Sequence, residues 1–245
     1  MERQGIRTIV AAVLAACFPW VVGGAAEIEI SEKHLVVQGG KLYDNWGQEL
    51  KKRPPRETHP AYPTLGKKKG MDTWRCKACH GWDYRGKDGA FGDKGSEHYT
   101  GIKGIRGWMG QEPEKAAAIL RDANHRYTPD LLSEASIKAL SVFVTRGQLE
   151  MEPWIVDGKV KGDAQKGRVF YQTICYRCHG LDGKKINFGD EKEPEYLGGA
   201  ARGNPWEALH KIRNGQPGED MITLGAMSVE TQVDVLAYLL TLPEK

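Results

Sequence analysis

Two short stretches of this 245-residue chain place cysteine and histidine at a spacing that does chemistry: Cys76-Lys77-Ala78-Cys79-His80 and Cys175-Tyr176-Arg177-Cys178-His179. Residues three apart share one face of a helical turn. Each cysteine pair therefore presents both sulfurs to one edge of a flat group, and the next residue can turn its imidazole towards that group's centre. This is the geometry for thioether attachment of a porphyrin, with His80 or His179 as an axial ligand of its iron. Other uses of the thiols explain less. A four-cysteine zinc site leaves both histidines idle, and the about 95 residues between the pairs exceed usual finger spacings. Redox disulfides within each pair leave the histidines equally unexplained. The implied cofactors are two covalently bound haem c groups, attached at Cys76, Cys79, Cys175 and Cys178, with His80 and His179 on the irons. The one remaining cysteine, Cys17, lies in an apolar N-terminal run.

The elements that must carry these motifs repeat. Gly40-Lys41-Leu42-Tyr43 opens a helix before the first motif, and Pro113 begins a helical stretch to Asp122 after it. Gly167-Arg168-Val169-Phe170 and the stretch Pro205–Asn214 stand in the same order around the second. Each half closes on an amphipathic helix, with Ile137, Leu140 and Val144 on one face of the first, and Val229, Val233, Leu236 and Leu240 on one face of the second. Ser133 or Ser136, and Ser228, are the N-cap candidates, with Glu134 and Glu230 nearby. The expected organisation is an export signal over 1–26, a first domain over 27–150, a linker over 151–161 and a second domain over 162–245. Residues 51–72, with four prolines and Lys67-Lys68-Lys69, lack helical periodicity and read as an inserted surface loop. The lysine run reads first as a solvated face, with electrostatic docking of an acidic partner as the alternative. Residues 27–38 alternate only weakly and receive no element.

The first residues fit an export signal: Arg3 and Arg7, an apolar run from Ile9 to Val22, then Gly24 and Ala26 at small-x-small spacing. Cleavage near Glu27 is expected, with periplasmic delivery and no integral membrane span in the mature protein. Leu14-Ala15-Ala16-Cys17 offers the alternative of a lipoprotein anchored through Cys17. The formal charge of +3 falls to about +2 once Arg3, Arg7 and Glu2 are removed, and haem propionates lower it further. A mixed, nearly neutral surface excludes a nucleic-acid binder.

The second half, from Gly162-Asp163-Ala164-Gln165-Lys166-Gly167 through Cys175-Tyr176-Arg177-Cys178-His179-Gly180 to Tyr238-Leu239-Leu240-Thr241-Leu242-Pro243, resembles a class I c-type cytochrome domain over its whole length. The first half resembles a more divergent relative, with Trp82-Asp83-Tyr84 and His98-Tyr99-Thr100-Gly101 as departures. The resemblance implies an all-α fold of two tandem cytochrome c-like domains, each built around one haem, in which a loop before the last helix supplies the sixth iron ligand. In Asn214-Gly215-Gln216-Pro217-Gly218-Glu219-Asp220-Met221 that ligand is Met221; Ile222 replaces the family's following proline, and Met227 is the fallback. The first half has no methionine there. Setting Phe143 against Tyr238 brings Met221 over Arg126, beside His125, which becomes the expected sixth ligand, with His98, Met109 or an open site as alternatives. Thioether ligation raises a haem's potential relative to two imidazoles, so electrons would run from the first haem to the second.

The implied function is electron transfer between a redox enzyme and a respiratory acceptor, with redox proteins as partners and docking at a membrane complex among the roles. The alternative is a haem enzyme, or a cytochrome subunit of an oxidoreductase, whose open first haem binds substrate. Sulfur dehydrogenases that ligate haem through a cysteine need a thiol that the mature chain lacks.

Overall fold

The computed structural model describes residues 31–245. The expected export segment 1–26, Cys17 and the cleavage point near Glu27 lie outside the described residues. Within them the regular structure is helical apart from one short hairpin and an isolated bridge between Gly86 and Lys103, and long irregular loops join the helices.

Helix α1 spans Glu32–Glu49, starting well ahead of Gly40 and taking in residues that alternation alone left without an element. Ser31 supplies the reason, its hydroxyl accepting from the His34 N–H at 3.3 Å as an N-cap. Leu35 and Val36, partly buried, and Leu42, Tyr43 and Trp46, fully buried, then carry one apolar face at helical spacing. Non-helical angles at Asn45 kink the helix near its end. The first motif forms α2 (Cys76–His80), preceded by a 3₁₀ turn over Gly70–Trp74. Helices α3 (Pro113–Leu120) and α4 (Glu134–Val142) follow; Ser133, not Ser136, caps α4, which runs on through a π turn over Phe143–Gly147.

The expected linker contains structure of its own. Strands β1 (Ile155–Val156) and β2 (Lys159–Val160) pair antiparallel across Asp157 and Gly158, both at positive φ. That is the two-residue turn for which Asp-Gly is suited, because its twist matches that of the strands. Helix α5 (Ala164–Phe170), capped by Asp163, continues through a π turn over Tyr171–Cys175 into α6 (Tyr176–His179). Helices α7 (Leu197–Gly203), α8 (Pro205–Asn214, capped by Asn204 with proline at its first turn) and α9 (Val229–Leu239, capped by Ser228) complete the chain.

One set of contacts recurs around both motifs. α1 crosses α4 with Gly39 against the Ala139 carbonyl, and α5 crosses α9 with Gly167 against the Asp234 carbonyl; at both, an added Cβ would collide with backbone. The Tyr43 hydroxyl donates to the Gly81 carbonyl at 2.7 Å, and the Tyr171 hydroxyl to the Gly180 carbonyl at 2.6 Å. Tyr43 packs on Phe143 with ring centres 5.4 Å apart, and Tyr171 on Tyr238 at 5.1 Å. Gly39 is thus the counterpart of Gly167 and Tyr43 of Tyr171, one residue away from the sequence pairing of Gly40 with Gly167 and Tyr43 with Phe170. The Phe143 and Tyr238 pairing agrees with these contacts.

The halves share a continuous apolar core, and a buried polar seam joins them. His210 on α8 donates through Nε2 to the Gly40 carbonyl at 2.9 Å and accepts at Nδ1 from the Tyr84 hydroxyl at 2.8 Å. Asp44, 1% exposed, pairs with Arg75 and with Lys211, each at 2.6 Å. Of the loop 51–72, most side chains are exposed, but His59 (7%) and Tyr62 (8%) are buried, so it packs on the body rather than lying wholly at the surface. No helix of the described residues is long and apolar enough to cross a membrane.

Candidate functional site

At the first motif, α2 ends on Gly81, whose φ of 78° lies in the left-handed region that favours glycine and turns the chain away below His80. His80 Nδ1 lies 2.9 Å from the Lys103 carbonyl. A carbonyl only accepts, so the proton sits on Nδ1 and Nε2 presents a free lone pair. Burial, opposed by the bond to Lys103, pushes the imidazole down to about 4, so it is neutral near pH 7, as a metal-binding histidine must be.

The ring that faces His80 is that of His125, with centres 6.3 Å apart and planes inclined by 22°. An ion held between two imidazoles by bonds of ~2 Å, with each donor nitrogen ~1.2 Å from its ring centre, separates the centres by ~6.4 Å. The spacing thus has room for one iron. His125 Nδ1 lies 3.3 Å from the Asp122 carboxylate, which also accepts the His125 backbone N–H at 2.8 Å. That backbone bond is the first cause holding the Asp122 carboxyl below its ordinary range, with the Asn124 N–H and the His125 ring adding to it. With Nδ1 turned to Asp122, Nε2 is the nitrogen of this ring that remains for a metal.

The sulfurs suit thioether chemistry. All four cysteines of the two motifs are unpaired. Burial pushes the Cys76 and Cys79 thiols up to about 12 and Cys175 up to about 11, the opposite of the depressed values that activate redox thiolates. Among the described residues, no group of three or more His, Cys, Asp or Glu side chains converges as a metal site, so the two cysteine pairs do not combine around zinc. Trp46 Nε1 and the Tyr127 hydroxyl both donate to the Trp74 carbonyl, at 2.9 and 2.7 Å, giving the first motif an aromatic surround.

The other candidates for the first iron stand in different surroundings, His98 with a buried Nδ1 that has no hydrogen-bond partner in the protein. His98 stacks on Phe91, with ring centres 4.6 Å apart and planes at 13°. Met109 is 38% exposed, just after a 3₁₀ turn over Arg106–Trp108.

The second motif repeats the local geometry. Gly180, at φ 81°, ends α6, and the Lys185 N–H donates to the His179 carbonyl at 3.1 Å. Burial lowers the His179 pKa, and its buried Nδ1 has no hydrogen-bond partner in the protein. Phe188 lies beside the ring, with centres 6.3 Å apart. Met221 sits partly buried in the extended segment before α9, whereas Met227 is 41% exposed. Bonds from the Leu224 N–H to the Ile212 carbonyl (2.8 Å) and from Gln232 Nε2 to the Leu224 and Met227 carbonyls (both 3.0 Å) pin that segment to α8 and α9. The donor sets fit haem c: paired sulfurs and an imidazole at each motif, with His125 facing the first.

His59 is the residue near the site that sequence reasoning misses. Its Nε2 is 2.9 Å from the His125 carbonyl, across a separation of 66 residues. The one clue lay in its setting, a histidine among Pro54, Pro55, Pro60 and Pro63 where a solvated loop needs none.

Residues 162–239 match the family model described as cytochrome c oxidase, cbb3-type, subunit III. No curated protein matches the chain significantly. The match supports a c-type cytochrome, whose domain implies covalently bound haem c and electron transfer as its work.

Proposed function

We propose that the chain is a tandem dihaem c-type cytochrome which carries electrons in the periplasm between a redox enzyme and a respiratory acceptor. Haem supplies an iron that changes by one electron while held by a fixed ligand set. Cys76 and Cys79 would attach the first, with His80 and His125 to hold its iron; Cys175 and Cys178 would attach the second, with His179 and Met221. The observation that carries this reading is the pair of imidazoles 6.3 Å apart, each with Nδ1 engaged by the protein. Two imidazoles close the first iron to exogenous ligands, which favours a relay over an enzyme. Imidazole and thioether on the second raise its potential above that of the first and set the direction of flow.

An acidic redox protein is the fitting partner for the first half. Loop 51–72 carries seven lysines and arginines against Glu57 and Asp72, and among the described residues none of those seven is ion-paired. Unneutralised charge of one sign speeds encounter with the opposite sign.

Redox titration followed by resonance Raman on the purified protein tests the assignment. Two low-spin haems of separated potential are expected. His125→Ala converts one haem alone to high spin, and Met221→Ala the other. A high-spin component in the unaltered ferric protein, or carbon monoxide uptake at the first haem without ligand loss, contradicts it.

A further inference from the structure

We infer that His59, in the inserted loop, is a positioning residue that holds the sixth-ligand turn of the first centre, so that the insertion acts as a strap on the haem pocket. The inference rests on His125 being that ligand.

The hydrogen bonds fix the state of the ring. The Ala61 N–H donates to His59 Nδ1 at 3.2 Å, so the proton of the neutral ring sits on Nε2 and is donated to the His125 carbonyl at 2.9 Å. The ring packs edge-on against Trp74, with centres 4.3 Å apart, two residues before the first cysteine. Its backbone is held too: the His59 N–H donates to Thr73 Oγ1 at 2.8 Å, and Thr73 Oγ1 donates to the Gly70 carbonyl at 2.6 Å. Trp74 Nε1 donates to the Glu57 carbonyl at 2.9 Å, and the Gly70 N–H to Thr58 Oγ1 at 3.0 Å. Residues 57–59 are thus tied to the turn that leads into the motif, and His59 extends that tie to the residue facing His80. One short segment is bonded both to the turn before the motif and to the residue that faces His80.

The turn needs holding. Arg126, next after His125, has φ 55°, in the left-handed region where a side chain is disfavoured. Such a conformation persists where its surroundings over-determine it. Here Asp122 accepts from the His125 backbone N–H on one side and His59 donates to the His125 carbonyl on the other. With that donor removed, the turn relaxes and the fraction of time that His125 spends in place falls.

The test uses the purified holoprotein. His59→Phe keeps a ring against Trp74 and deletes the donor; His59→Gln keeps an amide donor and gives up the ring. With Phe, the ferric spectrum is expected to gain a high-spin fraction at one haem, and cyanide is expected to bind that haem about tenfold faster, the scale of one lost hydrogen bond. With Gln both readouts return towards wild type. His125→Ala serves as the reference for full loss of the ligand. Wild-type spin state and cyanide rate in His59→Phe, beside a high-spin haem in His125→Ala, overturn the strap and leave the ligand assignment standing. Equal effects of Phe and Gln overturn the hydrogen bond as the cause. Two low-spin haems in His125→Ala overturn the ligand assignment and the strap together.

Discussion

The two segments that precede the closing helices answer one structural need in different ways. In the first half, the turn Asp122–Tyr127 is held from within its own half, by the inserted loop through His59 and by the Asp122 carboxylate. In the second, the segment leading to Met221 leans on the other half of the molecule: the Gly218 N–H donates to the Glu49 carboxylate at 2.8 Å, and Lys41 Nζ to the Glu219 carbonyl at 3.4 Å. Both supports stand on α1. A loop cannot satisfy its own backbone groups, so it borrows partners from a neighbour. In the first half the inserted loop supplies such a partner, and in the second α1 of the other half does. For these two segments the support therefore crosses between the halves in one direction only.

The sharpest way to break this asymmetry is to loosen the seam. Asp44 is buried between Arg75 and Lys211, and Asp44→Ala leaves Arg75 without a carboxylate and Lys211 with only the longer contact to Glu207 at 3.6 Å. A loss of about 3–5 kcal/mol in unfolding free energy is expected, with the second haem's ligation perturbed before the first. Chemical denaturation followed separately at the two haem bands measures both; equal perturbation of the haems would erase the asymmetry.

Acid probes the same seam with the sign fixed. Burial pushes His210 down to about 4 from its ordinary 6.5, with nearby Asp44 and the Gly40 carbonyl opposing the shift. The folded state keeps this ring neutral while the unfolded chain takes up a proton below about pH 6.5. Stability therefore falls as pH drops from 6.5 towards 4, by roughly 3 kcal/mol for this group in full. For Asp44, burial pushes the pKa up, but Lys211 and Arg75 overcome it and the net shift is downward from 3.8. Its contribution is present above that value and is lost only as pH falls through the lower folded pKa. In His210→Gln, the slope between pH 6.5 and 4 should flatten; an unchanged slope would assign it to other groups.

The smallest of these effects compares the helix crossings. Gly39→Ala and Gly167→Ala each drive a methyl into backbone and should cost about 1–3 kcal/mol apiece. Gly39→Ala disturbs α1, and so both the packing above the first motif and the support of the segment leading to Met221, whereas Gly167→Ala should perturb the second haem alone. Thermal unfolding together with the spectra of the two haems would show the difference.

What could be read from sequence was what is local. The two CxxCH turns, the Ser133 and Ser228 caps and the apolar faces of the closing helices depend on residues within a few positions of each other. The pairing of Phe143 with Tyr238 needed only the spacing to one shared helix. The opening helices were set one residue out of register because Gly39 and Gly40 are adjacent and either fits a glycine pattern; the Tyr43 bond to the Gly81 carbonyl is what distinguishes them. The Asp157-Gly158 hairpin was legible in principle and was read only as a linker. His59 and His210 were not, since their partners lie 66 and 170 residues away and a histidine carries no periodic signal of burial.

The count of covalently attached haems tests the account most directly. Intact-mass measurement of the matured protein, paired with a haem assay per chain, should give two attached haems, falling to one in Cys76→Ala/Cys79→Ala and to one in Cys175→Ala/Cys178→Ala. A folded, matured chain carrying a single haem, or none, would contradict it.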